Sequence, residues 1–468
     1  MNKYILNSEK AKINTLTEEL SKSLKVNENN ITKIKNKFYN IIRTNKDSSI
    51  EDIISSFIDS LAKELEPLLK ENITPGLQAG IKNKYFSTKV LGGYYSNHLN
   101  KPIEEDTMFS FDSIAKLLTS SIILKDIENN DFNLSTTIHE LDESFNLNTS
   151  IESILKYTAL IRTEKRIDNL SRQETISILK KVHENLEEKE KYKNFYEYND
   201  IGYIILRLSI NNFLEKLNNI LELIDKNNLT YKNYQYKDKI TGGKINEEFI
   251  TPDTKGRDII FPGHTGLYGN IDGLINLFYK IIYTEDIISN NSKTKTFQQP
   301  YTDPIVYNSD GSQKLGKNNS PQYMAKIAGI YRKPNGITNP NYDKLASCDM
   351  SNNTTDKAIA STGTCGSWVV GDNLEYNNKF SIYIGGLLTN PYTLVNKGTY
   401  KNKINNIPNS NIQVNSKGVI LGYQTKLNKY KEIITEYGLL LELLTEYIKE
   451  QDKQALNNAK KTLIRHIK

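Results

Sequence analysis

The chain has 468 residues, 37% of them hydrophobic, and a mean hydropathy of −0.55, so it can bury a large core beneath a polar surface. Its 61 basic and 55 acidic residues leave a net charge of +6, and no cluster of Lys and Arg marks a nucleic-acid-binding surface. No run approaches the ~18 apolar residues of a membrane helix, and residues 1–10 lack the apolar centre of a signal peptide. We therefore expect a cytoplasmic protein that binds neither nucleic acid nor membranes, unless a leader has been trimmed.

The two cysteines, Cys348 and Cys365, are expected to be free thiols, with a disulfide or redox pair as the alternative. The five histidines are scattered, so no group of Cys and His has the spacing of a metal site. The sequence therefore predicts no bound metal.

Apolar residues that recur every three to four positions predict three helices at the start of the chain, at residues 9–24, 31–42 and 49–69. Pro75-Gly76 ends this pattern, and two strands are predicted at residues 77–81 and 86–95. We expect the first two helices to form an added N-terminal arm and the third helix to pack on the sheet.

Ser113 and Lys116 stand where an extended run at residues 108–111 gives way to a helical repeat. Side chains three apart on a first helical turn share a face, and Ser110 or Asp112 is expected to cap this helix. A desolvated, neutral Lys can take the proton of a serine hydroxyl, so the pair can form an acyl-transfer centre. Because Ser and Lys are common, the alternative is a Ser near a helix cap and a solvated Lys.

Further helices are predicted at residues 137–141, 151–160 and 172–182. Tyr198 then lies in a loop that enters a helix, with Asp200 as the expected N-cap. A phenol near a Lys ammonium can transfer protons, so Tyr198 is a candidate for the second catalytic group. The alternative is a plain capping loop.

A glycine-rich turn that contains His264 precedes a helix predicted from about Ile271. We interpret His264 as a residue that pins this turn, with a catalytic role as the alternative. Residues 286–320 are rich in Asn, Ser, Lys and Gln and predict a long loop, and residues 323–332 predict a strand.

Residues 358–370 and 380–390 predict a two-stranded hairpin of an antiparallel sheet. Ser361, Thr362 and Gly363 lie on its first strand. Glycine lets the backbone approach a ligand closely, and the hydroxyl and amide groups can bind a carboxylate or an oxyanion.

The last part of the chain predicts a strand at residues 418–423 and a long amphipathic helix, or a pair of helices, at residues 430–467. This helical segment is expected to pack on the protein's own body or on a second subunit. The terminal helices are therefore a candidate interface for a homo-oligomer.

The order of these segments resembles that of the serine β-lactamase and penicillin-binding-protein superfamily, most closely the class C β-lactamase-like serine hydrolases and esterases. The resemblance covers residues 75–393 and rests on four segments, each modest alone but specific in this order. Thr107–Lys116 is similar to the family's Ser-x-x-Lys segment, and Tyr198–Leu206 is similar to its Tyr-x-Asn segment, with Asp200 in place of Asn. Gly263–Leu267 is similar to its Gly-His-x-Gly-Leu segment. Ser361–Trp368 is similar to its last segment, which is usually Lys-Thr-Gly or His-Thr-Gly.

The fold that this resemblance implies is α+β, with an antiparallel β-sheet flanked by helices and an all-helical subdomain. The hydrolase domain would span residues 49–425, with the helical subdomain inserted at about residues 120–285. Residues 1–48 and 426–468 would then be helical extensions at the two ends of the chain.

The resemblance also implies a double displacement without metal or organic cofactor. Lys116, with Tyr198, deprotonates Ser113, which attacks a carbonyl, and Tyr198 protonates the leaving group before water clears the acyl-enzyme. The oxyanion would lie between the amides of Ser113 and Thr364. The segment from Ser361 to Thr364, together with Asp200, would bind the substrate, a small ester, amide or peptide.

Two departures from the family pattern bear on function. Ser361 stands where the family has a cation, which favours a substrate without a carboxylate. Residues 155–161 match the family's Leu-Leu-x-His-Thr-Ser-Gly-Leu only loosely. A rival alignment puts His264-Thr265-Gly266 in the last segment, but Ser361 is preferred because a second strand follows it. The chain is thus predicted to be an active serine hydrolase (an esterase, D-amino-acid peptidase or β-lactamase), or alternatively a binding or scaffold protein on a retired hydrolase fold.

Overall fold

A computed structural model gives the fold of most of the chain. The described segments are residues 10–19, 28–44, 49–71, 74–96, 99–165, 170–187, 196–231, 259–293, 326–332, 358–363, 367–372, 382–388, 423–451 and 462–467, with a few shorter pieces between them. Cys348, Cys365, Thr364 and most of the predicted long loop lie outside the described residues, as does the predicted strand at residues 418–423 apart from Tyr423, which begins a helix.

The described helices follow the apolar repeats of the sequence. They are α1 (residues 10–19), α2 (Glu28–Thr44), α3 (Ile50–Lys70), α4 (Ala115–Glu128), α5 (Ile138–Leu141), α6 (Ile151–Leu155), α7 (Arg172–Leu179), α8 (Asp200–Ser209), α9 (Phe213–Ile224), α10 (Ile271–Tyr283), α11 (Asn290–Lys293) and α12 (Tyr423–Gln451). A capping box, formed by Ser49 and Asp52, sets the start of α3 because it satisfies two amide donors that the first turn leaves unpaired.

The described strands fall into one large sheet and three small ones. They are β1 (Gly76–Lys82), β2 (Ser87–Ser96), β3 (Leu99–Pro102), β4 (Phe109–Ser110), β5 (Ile161–Arg162), β6 (His183–Glu184), β7 (Leu229–Thr230), β8 (Lys244–Ile245), β9 (Glu248–Phe249), β10 (Tyr268–Gly269), β11 (Lys326–Ile327), β12 (Ile330–Arg332), β13 (Ile359–Thr362), β14 (Trp368–Asp372), β15 (Ile382–Leu388) and β16 (Thr462–Ile467).

The large sheet has the order β11-β12-β13-β14-β15-β1-β2-β16, and β3 also pairs with β2. Neighbouring strands are antiparallel except for β16, which runs parallel to β2. With helices on both of its faces, this sheet confirms the predicted α+β architecture.

Side chains of β1 alternate between the two faces of the sheet, as the pleat requires. Leu77, Ala79 and Ile81 are fully buried on the face that α3 and α12 cover. The opposite face packs on α10, and here Gly80 lets the helix approach: a Cβ at this position would lie 2.6 Å from Cγ1 of Ile271. The sheet is therefore the middle layer of three.

The two terminal segments belong to one helical layer. Helix α12 packs on α2, α3, β1 and β15. The rings of Phe57 and Tyr437 are 5.5 Å apart, and the Tyr437 hydroxyl is 2.6 Å from Oγ of Ser60. Lys37 of α2 forms an ion pair with the buried Glu436 at 2.8 Å. The apolar face of α12 is thus covered by the chain itself, and a homo-oligomer through the terminal helices stays a prediction, as do the domain boundaries.

A second core lies between the sheet and the helices of the middle of the chain. Residues 115–124 of α4 are all buried, so this helix runs through the centre of the core. Helices α8 and α9 pack on it, α10 packs on α9 and belongs to the same core, and β4, β10 and β7 form a small sheet at its start.

Four predicted elements need correction. The strand at residues 323–332 is the hairpin β11–β12, because Ala328 and Gly329 adopt positive φ angles of 51° and 84° and turn the chain. The predicted strand at residues 358–370 is two strands, β13 and β14. The predicted helix at residues 151–160 ends at Leu155. The helix predicted up to residue 467 ends at Gln451, and residues 462–467 form β16 instead.

In the described part of the chain, no helix is long and apolar enough to cross a membrane. The same residues contain no group of three or more His, Cys, Asp or Glu side chains that would hold a metal ion.

The close approach of α10 to the sheet can be tested at a glycine pair. We expect Gly80→Ala to lower the free energy of unfolding by about 1–3 kcal/mol, because the new methyl group overlaps Ile271 and forces the helix away. Gly385 faces the same helix directly across the ladder, but a Cβ there would lie 3.2 Å from the flexible end of Ile271, so Gly385→Ala should cost less. Urea unfolding measures both variants, and equal stabilities would contradict the packing described.

Candidate active site

A sharp turn carries Ser113 at the start of a buried helix. Strand β4 pairs with β10, and a short 3-10 helix, Asp112–Ile114, leads directly into α4. Asp112 has a φ of 45°, a left-handed conformation that is uncommon outside glycine, and the Ser110 hydroxyl donates to its carboxylate at 2.6 Å. No side chain caps α4 or the 3-10 helix, so the predicted cap by Ser110 or Asp112 is wrong. These two side chains instead hold the turn that presents Ser113.

Lys116 lies one helical turn beyond Ser113 and is completely buried. Its Nζ is 3.0 Å from Oγ of Ser113, 2.8 Å from Oδ1 of Asp200 and 3.4 Å from the carbonyl oxygen of His264. The amine donates to the His264 carbonyl, which cannot donate, and forms an ion pair with the Asp200 carboxylate. Lys116 is therefore held in place from three sides.

Tyr198 reaches the same serine from a distant part of the chain. Its hydroxyl donates to Oγ of Ser113 at 2.7 Å, and Nζ of Lys116 lies 4.7 Å from the centre of its ring. The phenol is 39% exposed, so solvent and ligands reach this side of the serine. The structure thus brings together Ser113, Lys116 and Tyr198, three side chains that the sequence analysis selected.

The charge of Lys116 differs from the neutral amine that we expected. Burial by itself lowers the pKa of Lys116, but the nearby Tyr198 and Asp200 outweigh this effect and hold the pKa above its ordinary value. Lys116 is therefore an ammonium ion at neutral pH. Burial also raises the pKa of the neighbouring Tyr203 to about 12, so this phenol stays protonated.

Asp200 has a different place from the one predicted. The N-cap of α8 is Asn199, whose side chain accepts from the amide of Ile201 at 2.8 Å, and Asp200 is the first residue of the helix. Its carboxylate pairs with Lys116, and a contact of Asp200 with substrate stays a prediction. The sequence suggested a cap because Asp favours that position, but Asn favours it equally and stands one residue earlier.

The turn around His264 supports Lys116 through its backbone. Gly263 and Gly266 have φ angles of 92° and 90°, which only glycine adopts readily. The carbonyl of Gly263 accepts from the Thr119 hydroxyl at 2.7 Å, and that of His264 accepts from Lys116. The backbone of this turn thus supports α4, and the role of the His264 side chain stays a prediction.

Strand β13 ends beside the serine turn. A Cβ on Gly363 would lie 2.5 Å from the carbonyl oxygen of Phe111, and the hydroxyl of Ser367 donates to that same oxygen at 3.2 Å. The Thr362 hydroxyl donates to the carbonyl of Ser367 at 3.4 Å. Thr362 and Gly363 therefore flank the turn that carries Ser113, whereas the predicted oxyanion residue Thr364 lies outside the described part of the chain.

The hydroxyl of Ser361 does not face the site. Ser361 is completely buried and donates to the carbonyl oxygen of Gly329 at 2.7 Å. Gly329 in turn lies against α4, because a Cβ at this position would be 2.6 Å from the amide nitrogen of Leu117. The predicted contact of Ser361 with substrate is thus replaced by a structural link between β13, the β11–β12 turn and the helix that carries Lys116.

Sequence reasoning missed Gly329 and Ser367. The positive φ of Gly329 belongs to a turn that the strand prediction at residues 323–332 passed over, although a glycine within a strand pattern often marks such a turn. Ser367 gave no local signal, because its role depends on a contact with a residue far away in sequence.

Comparison with solved structures identifies the fold. The octameric penicillin-binding protein homologue from Pyrococcus abyssi aligns with a TM-score of 0.50 and 14% identity, over 71% of this chain and 73% of that chain. A class C β-lactamase from Rhodobacter sphaeroides aligns with a TM-score of 0.45 and 11% identity, over 71% of this chain and 95% of that chain. SurE with D-Leu aligns with a TM-score of 0.44 and 10% identity, over 78% of each chain.

No family model matches the sequence, and no curated protein matches it either. The chain nonetheless shares the fold of the penicillin-binding protein homologue, which confirms the predicted resemblance at the level of the fold.

The ion pair between Lys116 and Asp200 can be tested by stability. We expect Asp200→Asn to lower the free energy of unfolding by about 3–5 kcal/mol, because the change leaves a buried ammonium without its counter-charge. The exposed pair between Glu222 and Lys226 provides the control, since Glu222→Gln should change stability by less than about 1 kcal/mol. If both variants lose the same free energy of unfolding in chemical denaturation, the buried ion pair contributes no more to stability than the exposed one.

Proposed function

We propose that the chain is a serine hydrolase that acts through an acyl-enzyme on an ester or an amide. The observation that carries this proposal is the pair of short contacts at Ser113 Oγ, 3.0 Å to the Lys116 amine and 2.7 Å to the Tyr198 hydroxyl. A hydroxyl at a helix start with two proton-handling groups in reach is the arrangement that an activated nucleophile needs.

Proton transfer follows from the charge of Lys116. An ammonium ion cannot accept a proton, so the proposed base for Ser113 is the oxygen of Tyr198, which lies 2.7 Å from Oγ and accepts a proton once it has lost its own to solvent. As Oγ bonds to the carbonyl carbon, the serine proton moves to Tyr198. The neutral phenol then returns that proton to the leaving group as its bond to the carbonyl carbon breaks.

Hydrolysis of the acyl-enzyme uses the same groups. The Tyr198 phenolate takes a proton from water, the resulting hydroxide attacks the acyl carbon, and the proton returns to Ser113 as it leaves. The amide of Ser113, near the positive end of α4, is one donor to the oxyanion. The second donor, proposed at Thr364, stays a prediction.

The charges around the serine support a substrate without a carboxylate. Among the contacts of the described residues, the cation at Ser113 is Lys116, and Asp200 already pairs with it. Ser361, which stands where the family has Lys or His, is neutral and bonded to Gly329. We therefore propose neutral esters and amides, including esters and amides of a D-amino acid, as the substrate class.

The nucleophile can be tested by covalent labelling. We expect a fluorophosphonate probe to label the unaltered chain and Ser113→Ala to abolish labelling. Tyr198→Phe should slow labelling by about 10²–10⁴-fold, because it removes the proton acceptor. Tyr196→Phe, a change at a buried tyrosine two residues earlier, is the matched control and should keep its rate. A chain that stays unlabelled would instead favour the binding or scaffold protein on a retired hydrolase fold.

The charge of the acyl group can be tested with two esters that share a leaving group. We expect p-nitrophenyl butyrate to be hydrolysed with a kcat/KM at least about tenfold above that of p-nitrophenyl succinate, because the cation at Ser113, Lys116, is already paired with Asp200. The rates of both esters with Ser113→Ala give the background. A preference for the succinate ester would contradict the proposed substrate class without affecting the nucleophile.

A further inference from the structure

The loop that carries Tyr198 must hold a partly exposed phenol in one position. Tyr198 is 39% exposed, yet its hydroxyl lies 2.7 Å from Oγ of Ser113. An exposed side chain on a loop is normally free to change its rotamer. Some neighbouring structure therefore fixes the ring of Tyr198.

Tyr157 covers the buried side of that ring. The two rings are stacked, with their centres 5.4 Å apart and their planes 20° from parallel. Tyr157 also contacts the ring of Tyr203 at 5.9 Å, and Tyr203 lies 5.7 Å from Nζ of Lys116. The ring of Tyr157 thus contacts both Tyr198, the proposed proton acceptor, and Tyr203, which lies beside the Lys116 ammonium.

The backbone of Tyr157 is unusual for so large a residue. Its φ is 58°, in the left-handed region, although it is only 2% exposed. A bulky residue adopts this conformation only where its surroundings impose it, and such residues concentrate at functional sites. The left-handed turn ends α6 and sends the ring toward Tyr198 instead of along the helix.

The segment that follows Tyr157 also binds the Tyr198 loop along its length. The amide of Glu197 donates to the carbonyl of Tyr157 at 2.9 Å, and the side chain of Asn199 donates to the carbonyl of Ile161 at 3.1 Å. Arg162 forms an ion pair with Glu197 at 2.6 Å. Residues on both sides of Tyr198 are therefore attached to the segment that begins with Tyr157.

The hydroxyl of Tyr157 takes no part in proton transfer. Burial holds the pKa of Tyr157 well above its ordinary value, so this phenol stays neutral at physiological pH. What Tyr157 supplies to the site is the face of its ring and the shape of its backbone.

From these contacts we propose that Tyr157 is a positioning residue, whose stacked ring and left-handed backbone keep the oxygen of Tyr198 within proton-transfer distance of Ser113. This inference rests on the proposed hydrolase function, because it assigns a role in activating that serine. Tyr157 stands in the segment, residues 155–161, that matches the family pattern only loosely.

The test measures the rate of fluorophosphonate labelling of Ser113 in the full chain. Tyr157→Leu should slow labelling by about 10–100-fold, because a displacement of about 1 Å at a reacting group has an effect of this size. Tyr157→Phe keeps the ring and should stay within about threefold of the parent. Phe145→Leu is the matched control: Phe145 is also 2% exposed and lies in the same core cluster, but the described ring contacts do not join it to Tyr198.

A double-variant cycle separates positioning from a general loss of stability. If Tyr157 acts through Tyr198, Tyr157→Leu should slow labelling in the parent chain but cause no further loss in the Tyr198→Phe background. The two leucine variants should lose similar amounts in thermal unfolding, whereas only Tyr157→Leu should lose labelling rate.

Three results would overturn the proposal. In the first, Tyr157→Leu and Phe145→Leu label equally fast. In the second, the effects of Tyr157→Leu and Tyr198→Phe multiply, which would mean that the residues act independently. In the third, Tyr157→Phe loses as much as Tyr157→Leu, so that the hydroxyl matters instead of the ring. In all three the unaltered chain is labelled, and the proposed function stands; an unlabelled parent chain would overturn both proposals.

Discussion

The centre of this structure is one buried positive charge. Lys116 has no exposed surface, and a charge in such a place is tolerated only with a counter-charge and further hydrogen bonds. Asp200, the carbonyl of His264 and the oxygen of Ser113 supply these partners. Because Lys116 and these partners come from three separate parts of the chain, satisfying this one amine fixes the relative positions of α4, α8 and the turn before α10.

The same requirement divides the roles within the site. Neighbouring charges and burial decide which protonation state a titratable side chain adopts, and therefore which role it can take in proton transfer. The charges of Tyr198 and Asp200 hold the pKa of Lys116 above its ordinary value and so keep the amine charged. A change from Asn to Asp in the family pattern is small in volume, but it adds a negative charge beside the ammonium.

Much of this arrangement could be predicted from the sequence. Apolar repeats located α3, α4 and α8, and alternating strands located β1 and β2, because both patterns depend on which face of a local element is buried. Ser113, Lys116 and Tyr198 were candidates from their own segments, and the order of the family's motifs joined them into one predicted site.

What could not be predicted depends on contacts between distant residues. The role of Asp200 is set by Lys116, and that of Ser361 by Gly329, neither of which is a sequence neighbour. Local propensity allowed Asp200 as a helix cap, but its ion pair with Lys116 gives this side chain a different place. Local propensity also allowed a helix up to residue 467, but residues 462–467 pair with β2 as strand β16. Tyr157 was overlooked because its stacked ring has no periodic signature.

The large sheet also constrains how the protein is made. Two neighbouring strands, β1 and β2, are synthesised early, but the strands that pair with them on either side, β15 and β16, are residues 382–388 and 462–467. On a ribosome, the hairpin of β1 and β2 must therefore wait without these two partners while several hundred residues are added. Pairings of such wide sequence separation form slowly and leave strands exposed to aggregation, so nascent chains of this protein should depend on chaperones until translation is nearly complete.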